Sequence, residues 1–557
     1  MEEDGAHSRR TFLKVAGSAA AAVSLAGCLG GGNNGGGGGG GGNDGPSGTL
    51  VYSRGAPSAT LDPQNSTSGE DAKVINQIYN QLVQFKPGDV SLEAGLAKKY
   101  ELSGKTATLT LREGVKFHND EEFTAEDFKA TFRRFTDPEY EYYPGDTYIS
   151  GYAAITLGNW VETVNAKDKY KLEIQLKQKF APFLRNLAMF ASAVLSKKAI
   201  EEKNKKLNKE PVGTGPFKLG QYESNGERIQ LEYNDNYWGK GPKVEQVIFS
   251  TIPENSTRAE TLIGGDAHII DGLGTTASQK VQKADGVKLN AFEGVNTGYM
   301  AFNMERFKPF RKKKVRQAIS YAINTKVIVE NIFSGFAVQA SQPIPSNMMG
   351  YNKDLDPYPH DVEKAKTLLK EAGHGDGISF ELATFKNPRS YNPSPLRAAQ
   401  QVRSDLSNVG IEIEINQMSF DPFLNYTDSG KHDACFLGWM SDNADPDNFY
   451  YSLLHPGVES PAGQDWVSFD TEGYNTLSVS GWANKEYMKT VEDAQKMLKE
   501  SERKSLYQKA AKIAHDEAPW VFLDHAKELR GVSNAVSGYV PSAIGGPYLN
   551  LVSVGGE

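Results

Sequence analysis

A run of glycine and asparagine near the N-terminus decides which part of this chain can fold. Residues 29–48 are almost all Gly and Asn. Such a run has few apolar side chains to bury and great backbone freedom, so it predicts a flexible tether rather than a domain. It is not a phosphate-binding loop, because neither a preceding strand nor a following Lys-Ser/Thr pair accompanies it. The fold must therefore be built from residue 49 onward.

The 28 residues before the tether have the pattern of a targeting segment, which is left out of the fold. Ser8-Arg9-Arg10-Thr11-Phe12-Leu13-Lys14 is similar to a twin-arginine export signal. The apolar run that follows has about half the length that a bilayer span requires. Leu25-Ala26-Gly27-Cys28 matches the pattern of a lipoprotein cleavage site. It predicts a lipid anchor on Cys28 and a protein held on the extracytoplasmic face of the cell membrane; the alternative is an ordinary signal peptide with a chance Cys.

The rest of the chain is globular in composition and too long for one hydrophobic core. The protein has 557 residues, of which 39% are hydrophobic and 23% charged. Two or three domains are expected at this length. Because 69 acidic residues stand against 61 basic ones, a nucleic-acid partner, which needs a basic face, is disfavoured. Cys435 lies in an apolar, strand-like stretch and is expected to be a buried thiol.

Strand and helix patterns alternate after the tether, which predicts an α/β protein with more than one sheet. Alternation of apolar and polar residues predicts strands at 106–111, 171–176 and 411–415. Thr124 and Asp361 are predicted N-caps of two helices, and Gly373 is predicted to end the second of them. An apolar stripe over residues 315–323 predicts a further helix.

Signatures of catalysis and of metal binding are absent from the sequence. It contains no G-x-S-x-G, H-E-x-x-H or Walker A pattern, and its nine His residues are scattered. Asp442, Asp445 and Asp447 lie close together, but the Gly and Glu that a calcium loop requires do not follow them at the right distances. These absences disfavour an enzyme, and no metal and no cofactor are expected.

Several segments follow one another in the order and spacing of one protein family. They are Leu109–His118, Phe123–Asp127, Pro211–Phe217, Tyr237-Trp238, Val315–Ala322 and Glu363–Lys366. By these segments the sequence resembles the extracytoplasmic solute-binding proteins of family 5, which serve peptide and nickel ABC importers. The resemblance covers nearly the whole chain after the tether.

The resemblance implies a two-lobed α/β fold of the periplasmic-binding-protein kind (type II, cluster C). Lobe one would comprise residues 49–292 plus 517–557, with an extra subdomain at about 91–211, and lobe two residues 296–516. The hinge would lie at the two crossings near Glu293–Asn296 and Asp516–Pro519. The lobes would close around the ligand, and the permease and ATPase of an importer would recognise the closed form. A monomer is expected.

Two further segments are similar to the dipeptide-binding branch of the family. They are Arg389-Ser390-Tyr391-Asn392-Pro393 and the stretch Gly438–Phe449. In that branch an Asp pairs with the peptide's α-ammonium group and an Arg with its α-carboxylate, and the resemblance carries these roles to Asp442 and Arg389. The other residues expected to bind the ligand are Tyr391, Gly438, Trp439, Met440, Ser441 and, from a loop of lobe one, Thr67, Ser68 and Gly69. Asp445 and Asp447 are expected to be structural.

The chemistry of a dipeptide fits this pair of charges. A guanidinium group can bind a carboxylate through two parallel hydrogen bonds, and a carboxylate can bind an ammonium group. Charged groups fixed at both ends would select for peptide length, because a longer peptide would place its second terminus away from the charge that binds it. Large, water-filled pockets between these two charges would accept different peptide side chains.

Some alternatives stay open. Residues 452–482 match the family pattern poorly, and ligand length would be in doubt if this segment borders the cleft. The same fold could bind an oligopeptide, a nickel complex, haem or an oligosaccharide. More distant alternatives are a lipid-anchored hydrolase and a sensory or adhesion protein without an importer.

Overall fold

The computed structural model describes residues 46–223, 225–386 and 388–555, and within them strands and helices alternate. The strands are β1 (Thr49–Arg54), β2 (Val83–Phe85), β3 (Leu92–Ala94), β4 (Ala97–Ser103), β5 (Thr106–Leu111), β6 (Val161–Asp168), β7 (Lys171–Leu176), β8 (Phe217–Tyr222), β9 (Arg228–Tyr233), β10 (Gln246–Thr251), β11 (Ile269–Ile270), β12 (Val287–Glu293), β13 (Asn296–Phe302), β14 (Ala337–Gln339), β15 (Ile378–Phe385), β16 (Ile411–Met418), β17 (Ala434–Met440), β18 (Trp520–Ser533), β19 (Val536–Ser537) and β20 (Ser553–Val554). The helices are α1 (Gly69–Ile78), α2 (Ala125–Thr136), α3 (Phe183–Asn186), α4 (Lys197–Lys203), α5 (Asn255–Ile263), α6 (Thr275–Lys283), α7 (Lys313–Ala322), α8 (Thr325–Val327), α9 (Val362–Glu371), α10 (Pro395–Ser407), α11 (Phe420–Asp428), α12 (Asp447–Leu454), α13 (Lys485–Lys496) and α14 (Glu500–Glu517).

The local predictions agree with these bounds. The predicted strands at 106–111 and 171–176 are β5 and β7, and the third begins β16. Asp361 caps α9 by accepting a hydrogen bond from Lys364 N at 2.8 Å. Gly373, at φ +78°, follows the end of the same helix, where a left-handed residue is favoured. Thr124 N donates to Asp127 Oδ2 at 2.8 Å at the start of α2, so capping and periodicity predicted these elements correctly.

One long strand connects two halves of the main sheet. The strand order is β16-β15-β17-β13-β18-β11-β1-β10-β9-β8, with β12 and β14 also paired to β18. The first part of β18 pairs with β13, where Ala301 lies opposite Trp520. Its last part pairs with β12, where Glu293 lies opposite Lys527. A single extended strand therefore belongs to both halves of the molecule.

Two large hydrophobic cores lie on either side of this shared strand. One core takes nearly all its residues from 295–526, including Trp520, Trp482 and Phe302. The other takes most of its residues from 50–249 and adds Val532 and others near the C-terminus. A smaller cluster packs α5 and α6 against the sheet. Two cores of this size give the two-lobed α/β architecture expected for a chain of this length.

A four-stranded antiparallel sheet extends the first lobe. Its strand order is β4-β5-β7-β6, and its buried faces belong to the same core as β1 and β10. It falls inside the subdomain predicted at about 91–211, whose bounds stay a prediction.

The lobe boundaries also stay a prediction, although the packing around them is visible. The chain leaves β12 at Glu293 and enters β13 at Asn296, as the first predicted crossing requires. At the second crossing, Trp520, Val521 and Phe522 still pack in the core of the second half. The chain enters the first half only where β18 begins to pair with β12, at Lys527. No helix in the described part of the chain is both long and apolar enough to cross a membrane.

Candidate functional site

A cavity of about 630 Å³ lies between the two lobes. All ten residues predicted to bind the ligand line its wall: Thr67, Ser68, Gly69, Arg389, Tyr391, Gly438, Trp439, Met440, Ser441 and Asp442. The structure thus brings together residues from three distant stretches of the chain. Cys28, the predicted anchor, lies outside the described residues.

Arg389 and Asp442 reach the cavity from the ends of neighbouring strands. β15 and β17 are parallel, with Leu382 opposite Ala434 and Ala383 opposite Cys435. Arg389 follows the carboxyl end of β15, and Asp442 follows the carboxyl end of β17. In open α/β sheets this edge is where ligands usually bind, because the loops that leave neighbouring strands converge there.

Asp442 is held from across the cavity. Tyr152 OH donates a hydrogen bond to Asp442 Oδ1 at 2.6 Å, and Asn448 Nδ2 lies 3.5 Å from the other carboxylate oxygen. Burial raises the pKa of Asp442 to about 6, while these two hydrogen bonds oppose the rise. The carboxylate is therefore ionised at neutral pH and fixed in direction.

Asn448 organises the loop that carries Asp442. Its Oδ1 accepts hydrogen bonds from Trp439 Nε1 at 2.9 Å, Ser441 Oγ at 3.0 Å and Asp442 N at 3.1 Å. Ser441 Oγ in turn accepts from Ala444 N at 2.9 Å. Trp439 thus uses its indole N–H to hold the loop and offers the cavity its ring.

Asp445 and Asp447 serve the protein interior, in agreement with their expected structural role. Arg503 binds both oxygens of Asp445, at 2.8 and 2.6 Å. Asp447 accepts from Gln495 Nε2 at 3.2 Å. Burial, together with the charge of Asp445, raises the pKa of Asp447 to about 7. Neither residue lines the cavity.

Arg389 lies in a tight turn and over an aromatic ring. Backbone hydrogen bonds of 3.0 Å run in both directions between Arg389 and Asn392. The guanidinium carbon lies 3.5 Å from the centre of the Phe420 ring. Burial lowers the pKa of Arg389, and the nearby Tyr391 and Asp421 oppose this.

Close packing explains the glycine in the predicted set at position 438. A Cβ atom there would lie 2.3 Å from Cδ2 of Tyr391, so only glycine lets β17 pass against that ring. Gly69 differs, because a Cβ atom there would meet nothing within 4 Å. It begins α1 after Ser68, whose Oγ accepts from Glu70 N at 3.1 Å. The start of α1 therefore forms an open part of the wall.

A set of paired charges on α1, directly after β11 and on β18 also lines the cavity and was missed from the sequence. Lys73 Nζ lies 2.5 Å from Asp271 Oδ2, and Arg530 Nη1 lies 3.0 Å from Glu528 Oε2. These residues are widely separated in sequence, and no motif joins them. They give this part of the wall a polar surface that can carry water around a ligand.

Contacts between the lobes border the cavity beside Asp442. Asn443 Nδ2 donates to Asn186 Oδ1 at 2.8 Å. Arg185 Nε lies 3.8 Å from Asp445 Oδ2. Together with the bond from Tyr152 to Asp442, they hold residues of the first lobe against the loop that follows β17.

The poorly matching segment does not border the cavity. Residues 452–482 are all described, and none of them lines the wall. They pack on the second lobe, where Phe469 N donates to Glu305 Oε2 at 2.8 Å and the Arg311 guanidinium lies 3.9 Å from the centre of the Trp466 ring. This segment therefore gives no reason to doubt the length of the ligand.

Comparison with known proteins identifies the family of this chain. The family model of bacterial extracellular solute-binding proteins, family 5 (middle region), matches residues 91–460. The dipeptide-binding protein of Escherichia coli K12 is 33% identical over 91% of this chain and 94% of its own length. Heme-binding protein A of Haemophilus influenzae is 31% identical over 91% and 93% of the two chains.

A solved structure shares the architecture. It is a periplasmic binding protein, DppA of Helicobacter pylori, in complex with the peptide STSA. It is 32% identical, has a TM-score of 0.74, and the match covers 92% of this chain and 99% of that one. The predicted two-lobed fold and the predicted family are thereby confirmed. The chain belongs to family 5 of the bacterial extracellular solute-binding proteins.

Proposed function

We propose that this protein captures small peptides, dipeptides foremost, and delivers them to an ABC importer. The observation that carries the proposal is the placement of Arg389 and Asp442 on one wall of the cavity between the lobes. A fixed cation and a fixed anion on the same wall match the two termini of a zwitterionic peptide. Arg389 receives the α-carboxylate, and Asp442 receives the α-ammonium group.

The remaining wall suits a ligand whose side chains vary. Tyr391, Trp439 and Met440 supply apolar surface near the two charges, while Lys73 and Asp271 supply a polar surface elsewhere. Because the paired charges already neutralise one another, they hold water without demanding one particular side chain. Peptide backbones are thus recognised at their ends, and the side chains are tolerated.

Relatives support this ligand class and suggest a second candidate. One relative is named for dipeptides, and another is solved with the peptide STSA. A cavity of about 630 Å³ is in the middle of the usual range for small-molecule sites, about 300–1,000 Å³. A peptide of up to four residues is therefore the second candidate.

Binding would be coupled to closure of the lobes, and no covalent step would follow it. We assign lobe one to residues 49–292 plus the chain from about 527, and lobe two to residues 296–526. The second boundary follows the core packing of β18. A ligand that touches both walls favours the closed form, and the importer then recognises that form.

Export and anchoring are part of the same proposal. We assign the first 28 residues to a twin-arginine lipoprotein signal, with Cys28 carrying the lipid. The predicted tether at 29–48 would end before Ser47, because Ser47 N already donates to Lys243 O at 3.0 Å. Substitution of Cys28 by Ser should release the protein from the membrane fraction into the medium, as detected by immunoblotting. An unchanged membrane fraction would refute the anchor.

Titration calorimetry with blocked peptides tests the ligand class. Ala-Ala should bind with a dissociation constant near micromolar, about −8 kcal/mol. N-acetylated and C-amidated Ala-Ala should each lose about 2–5 kcal/mol, because one buried charge is left unpaired. Tight binding of a tetrapeptide, a pentapeptide, cellobiose or hemin without Ala-Ala would overturn the dipeptide assignment.

Single substitutions test the two charged residues. Arg389→Ala should cost about 2–5 kcal/mol of Ala-Ala affinity for the same reason. Arg403→Ala is the matched control, because Arg403 is exposed on α10 and does not line the cavity. Equal affinity of the two variants would remove Arg389 from the site.

A further inference from the structure

Phe420 and Arg389 form an unusually close pair in the cavity wall. Both residues line the cavity, and the guanidinium carbon lies 3.5 Å from the centre of the Phe420 ring. A cation over an aromatic face is attracted by the ring's electron density. This contact places a charged group against the ring without using a hydrogen bond.

Two buried arginines of this chain, Arg134 and Arg503, are paired with carboxylates instead. Arg134 binds Asp62 at 2.7 Å, and Arg503 binds Asp445 at 2.6 Å. Arg389 forms no salt bridge with any residue of the described ranges, and its Nε finds no hydrogen-bond acceptor among them. Its guanidinium thus lies on an aromatic face, and within the described part of the chain its N–H donors are not bonded to a carboxylate.

The Phe420 ring is itself fixed by aromatic neighbours. Phe385 meets it edge-on, with ring centres 5.5 Å apart, and Phe423 stacks beside it at 6.1 Å. Phe385 also packs against Tyr391, in the same turn as Arg389, at 6.1 Å. A ring held in this way can define the plane of the group above it.

We propose that Phe420 is a positioning residue that orients the Arg389 guanidinium over its ring and so sets the selectivity for a free C-terminal carboxylate. The inference rests on the proposed function, in which Arg389 receives that carboxylate. Guanidinium N–H bonds lie in the plane of the group, so a ring on its face leaves the donor edge open to a bidentate partner. A carboxylate in place of the ring would also hold the arginine but would compete with the ligand.

The test compares Ala-Ala with C-amidated Ala-Ala in four proteins by calorimetry. Phe420→Leu should weaken Ala-Ala binding by about tenfold, as expected for loss of a cation–π contact, and leave the amide unchanged. The ratio of the two affinities should therefore fall. Phe420→Tyr keeps the aromatic face and should keep the ratio. Phe423→Leu is the matched control, because it alters the same aromatic cluster without touching Arg389, and its ratio should equal that of the wild type.

The outcomes separate the inference from the function on which it rests. If the wild type binds acid and amide equally, the proposed end recognition is wrong. If the wild type prefers the acid and Phe420→Leu keeps the full ratio, Phe420 does not position Arg389. A fall of the ratio in Phe423→Leu as large as in Phe420→Leu would also overturn the inference, since packing alone would then explain it. Should Phe420→Leu fail to fold by circular dichroism, Phe420→Met gives the same comparison.

Discussion

Asp442 must be ionised before it can bind an ammonium group, and this sets a pH dependence at the scale of one residue. Burial raises its pKa to about 6. Because the ligand binds only the deprotonated form, a protein whose Asp442 is protonated must lose that proton on binding. The affinity for Ala-Ala should be highest between about pH 7 and 8, fall about tenfold for each pH unit below 6, and fall again above about pH 8, where the peptide's own ammonium group loses its proton. Calorimetry across this range, in buffers of different ionisation enthalpy, measures both the affinity and the proton release.

Asp442→Asn provides the control for this prediction. The variant should bind Ala-Ala weakly, by about 2–5 kcal/mol, and its affinity should not vary over the same pH range. Burial also raises the pKa of Asp71 to about 6, but Asp71 does not line the cavity, so its titration should not depend on the ligand. A pH profile of Asp442→Asn as steep as that of the wild type would assign the dependence to another group.

Two residues of the site carried no signal in the sequence. Tyr152 lies in a stretch with several other tyrosines, among them Tyr140, Tyr142 and Tyr148, and nothing in the pattern distinguishes the one that reaches Asp442. Phe420 is an apolar residue that begins a helix, as core residues commonly do. Their roles arise from side chains that meet across the fold, which local patterns do not encode.

At the scale of elements, the stretch that begins at Tyr152 couples the first lobe to the loop after β17. Tyr152→Phe removes only the hydroxyl that donates to Asp442. The variant should lose about 1–3 kcal/mol of Ala-Ala affinity, the usual loss when a hydrogen bond to a charged group is removed. Because that bond lowers the pKa of Asp442, the midpoint of the pH profile should also move upward.

Tyr143→Phe is the matched control for Tyr152→Phe. Tyr143 OH also donates to a carboxylate, Asp146, at 2.6 Å, but this pair is exposed and does not line the cavity. Its removal should change neither affinity nor pH midpoint. If Tyr152→Phe behaves like this control in calorimetry, the contact across the cavity contributes nothing to binding.

Helices and strands that depend on nearby residues were predictable from the sequence. Those that depend on residues far away in the chain were not. β5 and β7 follow from strict alternation, and α9 from its Asp361 cap. The position of β18 in the sheet depends on partners more than 200 residues away, such as Ala301 opposite Trp520. Pairing at that distance reflects tertiary packing, which local sequence patterns do not encode. The cavity residues were predicted through motif resemblance rather than through periodicity.

At the scale of the whole molecule, ligand binding should make the protein more compact. A compact chain of about 500 residues has a radius of gyration of about 23 Å. We expect small-angle X-ray scattering of the protein without its first 45 residues to give a larger value alone and a value near this one with saturating Ala-Ala. A radius that Ala-Ala does not change would mean that the lobes do not close on the ligand. Asp442→Asn, given the same peptide concentration, should stay extended.

The placement of Arg389 and Asp442 at the ends of adjacent parallel strands has a kinetic consequence. Both charges proposed to bind the peptide belong to one wall, so this wall would bind the ligand before the other wall reaches it. Electrostatic attraction to these two residues would then govern the association rate. The opposite wall, which includes Thr67, Ser68 and Gly69, would contact the ligand only afterwards and would govern how long it stays bound. Capture and retention are thus assigned to different halves of the same protein.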